Sequence, residues 1–359
     1  MLDSMLKNYN LPEIPSKDDC KRLLQEYEYG FLPKKPEELN FEILAANLRS
    51  CAGRAVETHV RLYGKLCGED FSFPIKVTVP AKKGEKRPLF VHINFRPDVP
   101  DIYQPTEEIF DNGFAIASFC YKEVTSDDND FSNGLAKTIY PDGIKKGGNG
   151  TGKIMMWAWA AMRTLDYMEI NHKDDIDFDN VAVCGHSRLG KTALVTGAFD
   201  DRFKFVFSND SGCGGAAIER NHQHKIPGKQ GFMAETTEII TRVFPFWFCE
   251  NYKNYVGKPQ EMPFDQHFFA GCIYPRHMYI ASAENDHWAD QINEYLCAYV
   301  SGKYYEKMGK TGFICPDRLP ETGESFHDGT IGYHIRIGNH YFSRLDWLEY
   351  MKFVKKHLN

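Results

Sequence analysis

Eight consecutive residues, Gly185-His186-Ser187-Arg188-Leu189-Gly190-Lys191-Thr192, follow a short apolar run and open a helical stretch, and they fit two different chemistries. Read as G-x-x-x-x-G-K-T they form a phosphate-cradling loop, the motif of a P-loop nucleotide hydrolase, and the later run FVFSND ends in an acid suited to magnesium. His186, Ser187 and Arg188 nevertheless crowd a loop whose bare N–H groups must wrap phosphate. Read as a nucleophile elbow, the same residues form a sharp strand-to-helix turn that lifts Ser187 above a sheet edge, with the second glycine of G-x-S-x-G one place late.

A serine hydroxyl is inert without a base, so the elbow reading requires a histidine near the end of the chain and a carboxylate before it. His340, in GNHYFSRLDW ahead of a C-terminal helical stretch, meets the first requirement. Two residues meet the second: Asp286 closes the apolar run MYIASAEND and Asp210 closes FVFSND, and either could orient an imidazole. Arg188 and Lys191 occupy the first turn of the helix, where the dipole disfavours cations, which points to an anionic or developing-negative partner. The plain alternatives are a helix N-cap for Ser187, a core position for Trp288 and solvated loop caps for the aspartates. His222, His224, His277 and His334 show no metal-ligand spacing and read as solvated or structural; neither a metal nor a cofactor is called for.

The elements around these residues alternate. Strand-length apolar runs at 88–95, 114–121, 180–185, 204–210 and 277–286 are separated by helical stretches at 153–169, 188–199 and 289–308, with another at 343–358. Several runs are continuous rather than alternating, as in strands covered on both faces. The pattern predicts an α/β chain: a mixed, mostly parallel sheet between helices, in one domain over 1–359. Residues 1–80 are less regular, with ETHVRLYGKL and FSFPIKVTVPA as antiparallel edge strands. Residues 123–153 form a long polar connection of the kind that is functional or mobile.

Composition narrows the classes. The chain has 359 residues, 42% hydrophobic and 26% charged, with no run long enough to span a membrane. Its 43 basic and 49 acidic residues give a net charge of −6, which disfavours a nucleic-acid partner. The ten cysteines include no C-x-x-C pair and read as buried free thiols. No basic segment followed by an apolar run stands at the N-terminus, so the chain as given reads as cytoplasmic, or as secreted or periplasmic if a leader has been trimmed. Oligomeric state is not legible.

The chain resembles the glucuronoyl esterases, carbohydrate esterases that cleave methyl or lignin-derived esters of 4-O-methyl-glucuronate on xylan. The resemblance rests on G-x-S-R-x-G-K (Gly185, Ser187, Arg188, Gly190, Lys191), NDSGCGGAA at 209–217, FPFWF at 244–248, PFDQH at 263–267, SAENDHWAD at 282–290 and the GNH of His340, in the family's order. It accounts for the late glycine and for the accidental phosphate-loop match. It implies an α/β-hydrolase fold, Ser187 as nucleophile and His340 as base. Arg188 would stabilise the oxyanion with its backbone N–H and guanidinium, while Lys191, Glu235 and Trp288 would bind the sugar.

Three departures bear on these roles. His186 stands where fungal members carry a disulfide-bonded cysteine. Asp210 stands where many members supply a longer glutamate as the acid, which favours Asp286. A further sugar-binding glutamate of fungal members aligns with Arg242, which weakens the case for a methylated uronate. The expected activity is hydrolysis of a glucuronate ester by a Ser-His-Asp acyl-enzyme route; the alternative with the same triad is an acetyl xylan esterase.

Overall fold

The computed structural model describes residues 1–96, 104–221 and 234–358. Ten strands form one sheet: β1 (Glu38–Arg49), β2 (Ala55–Leu66), β3 (Glu69–Pro80), β4 (Arg87–Asn94), β5 (Ala115–Cys120), β6 (Ile176–His186), β7 (Phe205–Asn209), β8 (His277–Ala283), β9 (Ser325–Phe326) and β10 (Ile331–Arg336), in the order β1-β2-β3-β5-β4-β6-β7-β8-β10-β9. From β5 to β10 the neighbours pair in parallel, while β1, β2, β3 and β9 add antiparallel margins. This is the mixed, mostly parallel sheet of an α/β-hydrolase.

The continuous apolar runs belong to strands covered on both sides. Side chains alternate between faces along a strand, so Val181, Val183, Val206, Met278 and Ile280 enter one hydrophobic cluster while Ala182, Cys184, Phe205, Phe207 and Tyr279 enter another. The helices Lys153–Asn171, Arg188–Phe199 and Gln291–Lys307 contribute to the first cluster. The C-terminal helix Arg344–Lys356 closes the second with Trp347, Tyr350 and Phe353, and a capping box between Ser343 and Asp346 fixes its start. Burial of each such aromatic stabilises the fold by roughly 1.5–3 kcal/mol.

The sequence reading places the four long helices and five of the six parallel strands near their observed bounds, and β2 and β3 pair antiparallel as expected. It overlooks β1, β9 and β10 and the shorter helices. β1 lies at the sheet margin and is almost wholly exposed, so its residues carry no burial pattern. β10 is short and holds His334 and Arg336 in a buried strand, where polar residues hide the apolar signal. The helix at 291 starts two residues later than expected because Asp290, at φ 55°, caps it. Eight of the ten cysteines are buried free thiols, Cys315 is intermediate, and Cys67 is exposed in the β2–β3 turn. Among the described residues no helix is long and apolar enough to cross a membrane.

Candidate active site

Four strands that are neighbours in the sheet, β6, β7, β8 and β10, each deliver one side chain just beyond the carboxyl end: Ser187, Asp210, Asp286 and His340. This is the crevice where open parallel sheets place their ligands. β6 and β10 lie three strand spacings apart, about 14 Å, so the loop after β10 must lean back over β8 and β7 for His340 to meet Ser187.

Ser187 sits at φ 58° and ψ −127°, a backbone region that non-glycine residues occupy only when their surroundings hold them there. Its N–H donates to Asn209 O at 2.8 Å, and the N–H groups of Gly190 and Lys191 return to Ser187 O at 2.8 and 3.1 Å. The two flanking glycines have steric reasons. A Cβ on Gly185 would lie 2.2 Å from Leu189 O, and one on Gly190 would lie 3.0 Å from Asn209 O, where the helix runs against β7. The second glycine falls at 190 because that is the position facing β7.

His340 Nε2 lies 2.9 Å from Ser187 Oγ, and its Nδ1 lies 2.5 Å from Asp286 Oδ2. Asp286 is buried, caps the short helix His287–Ala289, and so has a fixed carboxylate. Asp210 does not hydrogen-bond the imidazole. Its Oδ2 accepts from Arg336 Nη2 at 3.0 Å while Oδ1 is buried without a partner. Burial first, and the charge of Asp286 second, push the Asp210 carboxyl above the usual range, against the pull of the Arg336 guanidinium.

Asp210, Asp286 and His340 are the side chains among the described residues close enough to hold a metal, with atoms within 4.8 Å of one another. Both ring nitrogens of His340 already face protein partners, so a cation there would have to displace one of them.

His340 is held from behind by residues that sequence reasoning missed. Arg336, buried at the end of β10, donates to the carbonyls of Asn339 and Tyr341 on either side of it and pairs with Asp346 and Asp210. A charged residue inside a buried strand was the available signal. His186 packs against His340 with ring centroids 4.5 Å apart and the planes tilted by 44°, and bonds Asn209 Oδ1 at 2.6 Å. Burial, then the neighbouring His340, lowers its pKa to about 3, so it packs as a neutral ring. Glu294, also unforeseen, accepts from the N–H groups of Ser211 and Gly212 and from Ser282 Oγ, fixing the loop after β7. His334 is buried between Tyr279 and Asp346, and His277 packs on Phe205, so both are structural; His222 and His224 lie outside the described residues.

Beside Ser187 opens a pocket of about 150 Å³ whose lining includes Arg188, Lys191, Asp210, Glu235, Trp247, Trp288 and His340. The anionic partners anticipated for the two cations turn out to be carboxylates of the chain itself. The Arg188 guanidinium pairs with Asp127. The Lys191 ammonium donates to Ser211 O and Cys213 O, each at 2.5 Å, and to Glu235 Oε2 at 2.9 Å. All three of its protons are engaged, so a sugar hydroxyl could reach it only by displacing one of these acceptors.

Glu235 is buried rather than exposed and accepts from Trp288 Nε1 at 3.2 Å through its other oxygen. Trp288 is 44% exposed and so is not core. Arg242 is exposed on the helix Thr237–Val243, away from the pocket lining.

The phosphate-loop alternative does not fit this geometry. A nucleotide would need the lysine ammonium and the threonine hydroxyl free, whereas Lys191 is turned inward and Thr192 Oγ1 donates to Arg188 O at 2.9 Å.

Comparison with known proteins shows the family of the chain. A family model described as glucuronyl esterase of fungi matches residues 65–309. The carbohydrate esterase MZ0003, from an unknown prokaryotic organism, is 30% identical over 95% of this chain and 84% of its own length. The 4-O-methyl-glucuronoyl methylesterase of Podospora anserina is 26% identical over 84% of this chain and 59% of its own length. Among solved structures, a glucuronoyl esterase from Solibacter usitatus superposes with a TM-score of 0.81 at 30% identity, covering 96% of this chain and 92% of that one. A promiscuous CE15 esterase from a marine bacterial metagenome gives 0.81 at 29% identity, with 95% and 91% covered.

Proposed function

Because this chain belongs to the glucuronyl esterase family and is a carboxylic-ester hydrolase, we propose that it cleaves esters of glucuronate or 4-O-methyl-glucuronate carried on xylan-type or lignin-linked saccharides. The observation that carries the reading is the unbroken chain Ser187 Oγ to His340 Nε2, 2.9 Å, and His340 Nδ1 to Asp286 Oδ2, 2.5 Å, at the mouth of the pocket.

In this mechanism His340 takes the proton of Ser187 as the hydroxyl attacks the ester carbonyl, and Asp286 steadies the imidazolium. The N–H of Arg188 and its guanidinium, in the wall of the pocket beside Ser187, receive the developing oxyanion. The alcohol leaves with the proton from His340, and water then releases the acid from Ser187. Trp288 and Glu235 flank the sugar, and Lys191 holds Glu235 in place.

The test is hydrolysis of benzyl glucuronate by the wild type and by Ser187→Ala, with 4-nitrophenyl acetate as comparator. Turnover of the uronate ester that the variant loses supports the proposal. Cleavage of the acetate alone, still dependent on Ser187, would transfer the substrate assignment to an acetyl xylan esterase. Undiminished turnover in the variant would remove Ser187 as nucleophile.

A further inference from the structure

The long polar connection after β5 sends one side chain into the active site. Asp127 is nearly buried and both of its oxygens are engaged: Oδ1 accepts from Trp247 Nε1 at 2.7 Å, and Oδ2 accepts from Tyr121 OH at 2.9 Å and from Arg188 Nη1. Its neighbours Asp128 and Asp130 point to solvent instead.

The turn that presents Asp127 is itself fastened. The ammonium of Lys153, wholly buried at the start of its helix, donates to Ser126 O at 2.7 Å and to Asp130 O at 2.8 Å, and Ser126 N donates to Asn133 Oδ1 at 2.9 Å.

We propose that Asp127 is a positioning residue for ester hydrolysis, clamping the Arg188 guanidinium so that it is held in the pocket wall beside Ser187, ready for the oxyanion. The proposal rests on the reading of Arg188 as an oxyanion donor. A free arginine side chain samples many rotamers, and a donor that must be ordered during reaction gives up part of its advantage. Here the guanidinium carbon lies over the Trp247 ring at 4.7 Å and over that of Phe244 at 5.4 Å, so cation–π contact holds it against the pocket wall. That contact is not directional within the ring face, and the bond from Nη1 to Asp127 fixes the orientation. Trp247 serves both partners, lying against the cation and donating to the anion. A buried ion pair is a poor source of stability because desolvation offsets the attraction, so its place in the pocket wall is better accounted for by orientation.

A double-mutant cycle on turnover of benzyl glucuronate tests this, using Asp127→Asn, Arg188→Ala and the pair. Asp127→Asn is expected to lower kcat about 10- to 100-fold, somewhat less than loss of an oxyanion donor, with KM changed less than about threefold. In the Arg188→Ala background the same change is expected to cost nothing further.

Wild-type kcat in Asp127→Asn, or an equal fall in both backgrounds, overturns the proposal. Wild-type kcat in Arg188→Ala alone would instead remove the oxyanion reading, and this proposal with it. Thermal melting establishes that each variant is folded; if Asp127→Asn is not, Asp127→Glu, which keeps the charge and displaces it by one methylene, enters the same cycle and is read the same way.

Discussion

Asp210 and Asp286 approach His340 from adjacent strand ends, yet only one of the two carboxylates is bonded to the imidazole. Asp286 Oδ2 lies 2.5 Å from Nδ1, while Asp210 is turned to Arg336. A carboxylate bonded to Nδ1 orients the ring and stabilises the imidazolium directly, so the two positions are chemically unequal.

Asp286→Asn is therefore expected to lower kcat on benzyl glucuronate by about 10⁴-fold, the size of effect seen when a triad acid becomes an amide. Asp210→Asn alters a carboxyl that does not bond the imidazole and should stay within about tenfold of wild type. The reverse ranking would move the acid role to Asp210.

Stability should respond to pH through Glu294. Burial, the largest cause, overrides its hydrogen bonds and raises its pKa from 4.5 to about 8. The folded protein therefore keeps a proton that the unfolded chain releases at a lower pH. The stabilisation tied to that proton is complete below the unfolded pKa and is lost as pH rises through about 8. Glu294→Gln removes this titration and leaves the other buried acids in place. The melting temperature of the wild type should fall relative to that of the variant as pH is raised from 5 to 8; parallel curves would contradict the assignment.

Lys191 and Glu235 form a buried pair, so removing one charge strands the other. Lys191→Met is expected to destabilise by about 3 kcal/mol in urea unfolding, the cost of an uncompensated buried charge. The double variant with Glu235→Gln should recover a substantial part of the loss. Additive losses would show that the ammonium acts mainly through its contacts to the carbonyls of Ser211 and Cys213.

The elbow glycine gives a steric prediction. Gly185→Ala forces a Cβ to within 2.2 Å of a backbone oxygen and should abolish activity or folding. Gly68→Ala, at φ 82° with open space around it, bears only the backbone penalty, about 1 kcal/mol. Calorimetric melting of the two variants separates these cases.

What is legible in the sequence follows from what each residue must satisfy locally. Ser187 and His340 are found because a serine at a strand-to-helix turn and a histidine ahead of the last helix are constrained by chain order. The buried strands are found because a short continuous apolar run between polar turns suits a strand with both faces covered. Partners are harder to read. Asp127 and Arg188 lie 61 positions apart, and no local pattern states that Lys191 will turn inward to two carbonyls and Glu235. Arg336 escapes notice because its role is to hold the backbone around His340, which leaves no spacing to detect. β1 goes unseen because an exposed edge strand need not alternate.

The cysteines make the fold report on its own opening. Cys67 sits exposed in its turn while eight other thiols are sealed in the interior. A thiol-reactive dye added to the native protein will mark Cys67 promptly and the half-buried Cys315 after it, and each addition beyond those two will count an opening event. The rate of that slow labelling is a clock for conformational breathing, running inside the intact enzyme with no probe engineered in.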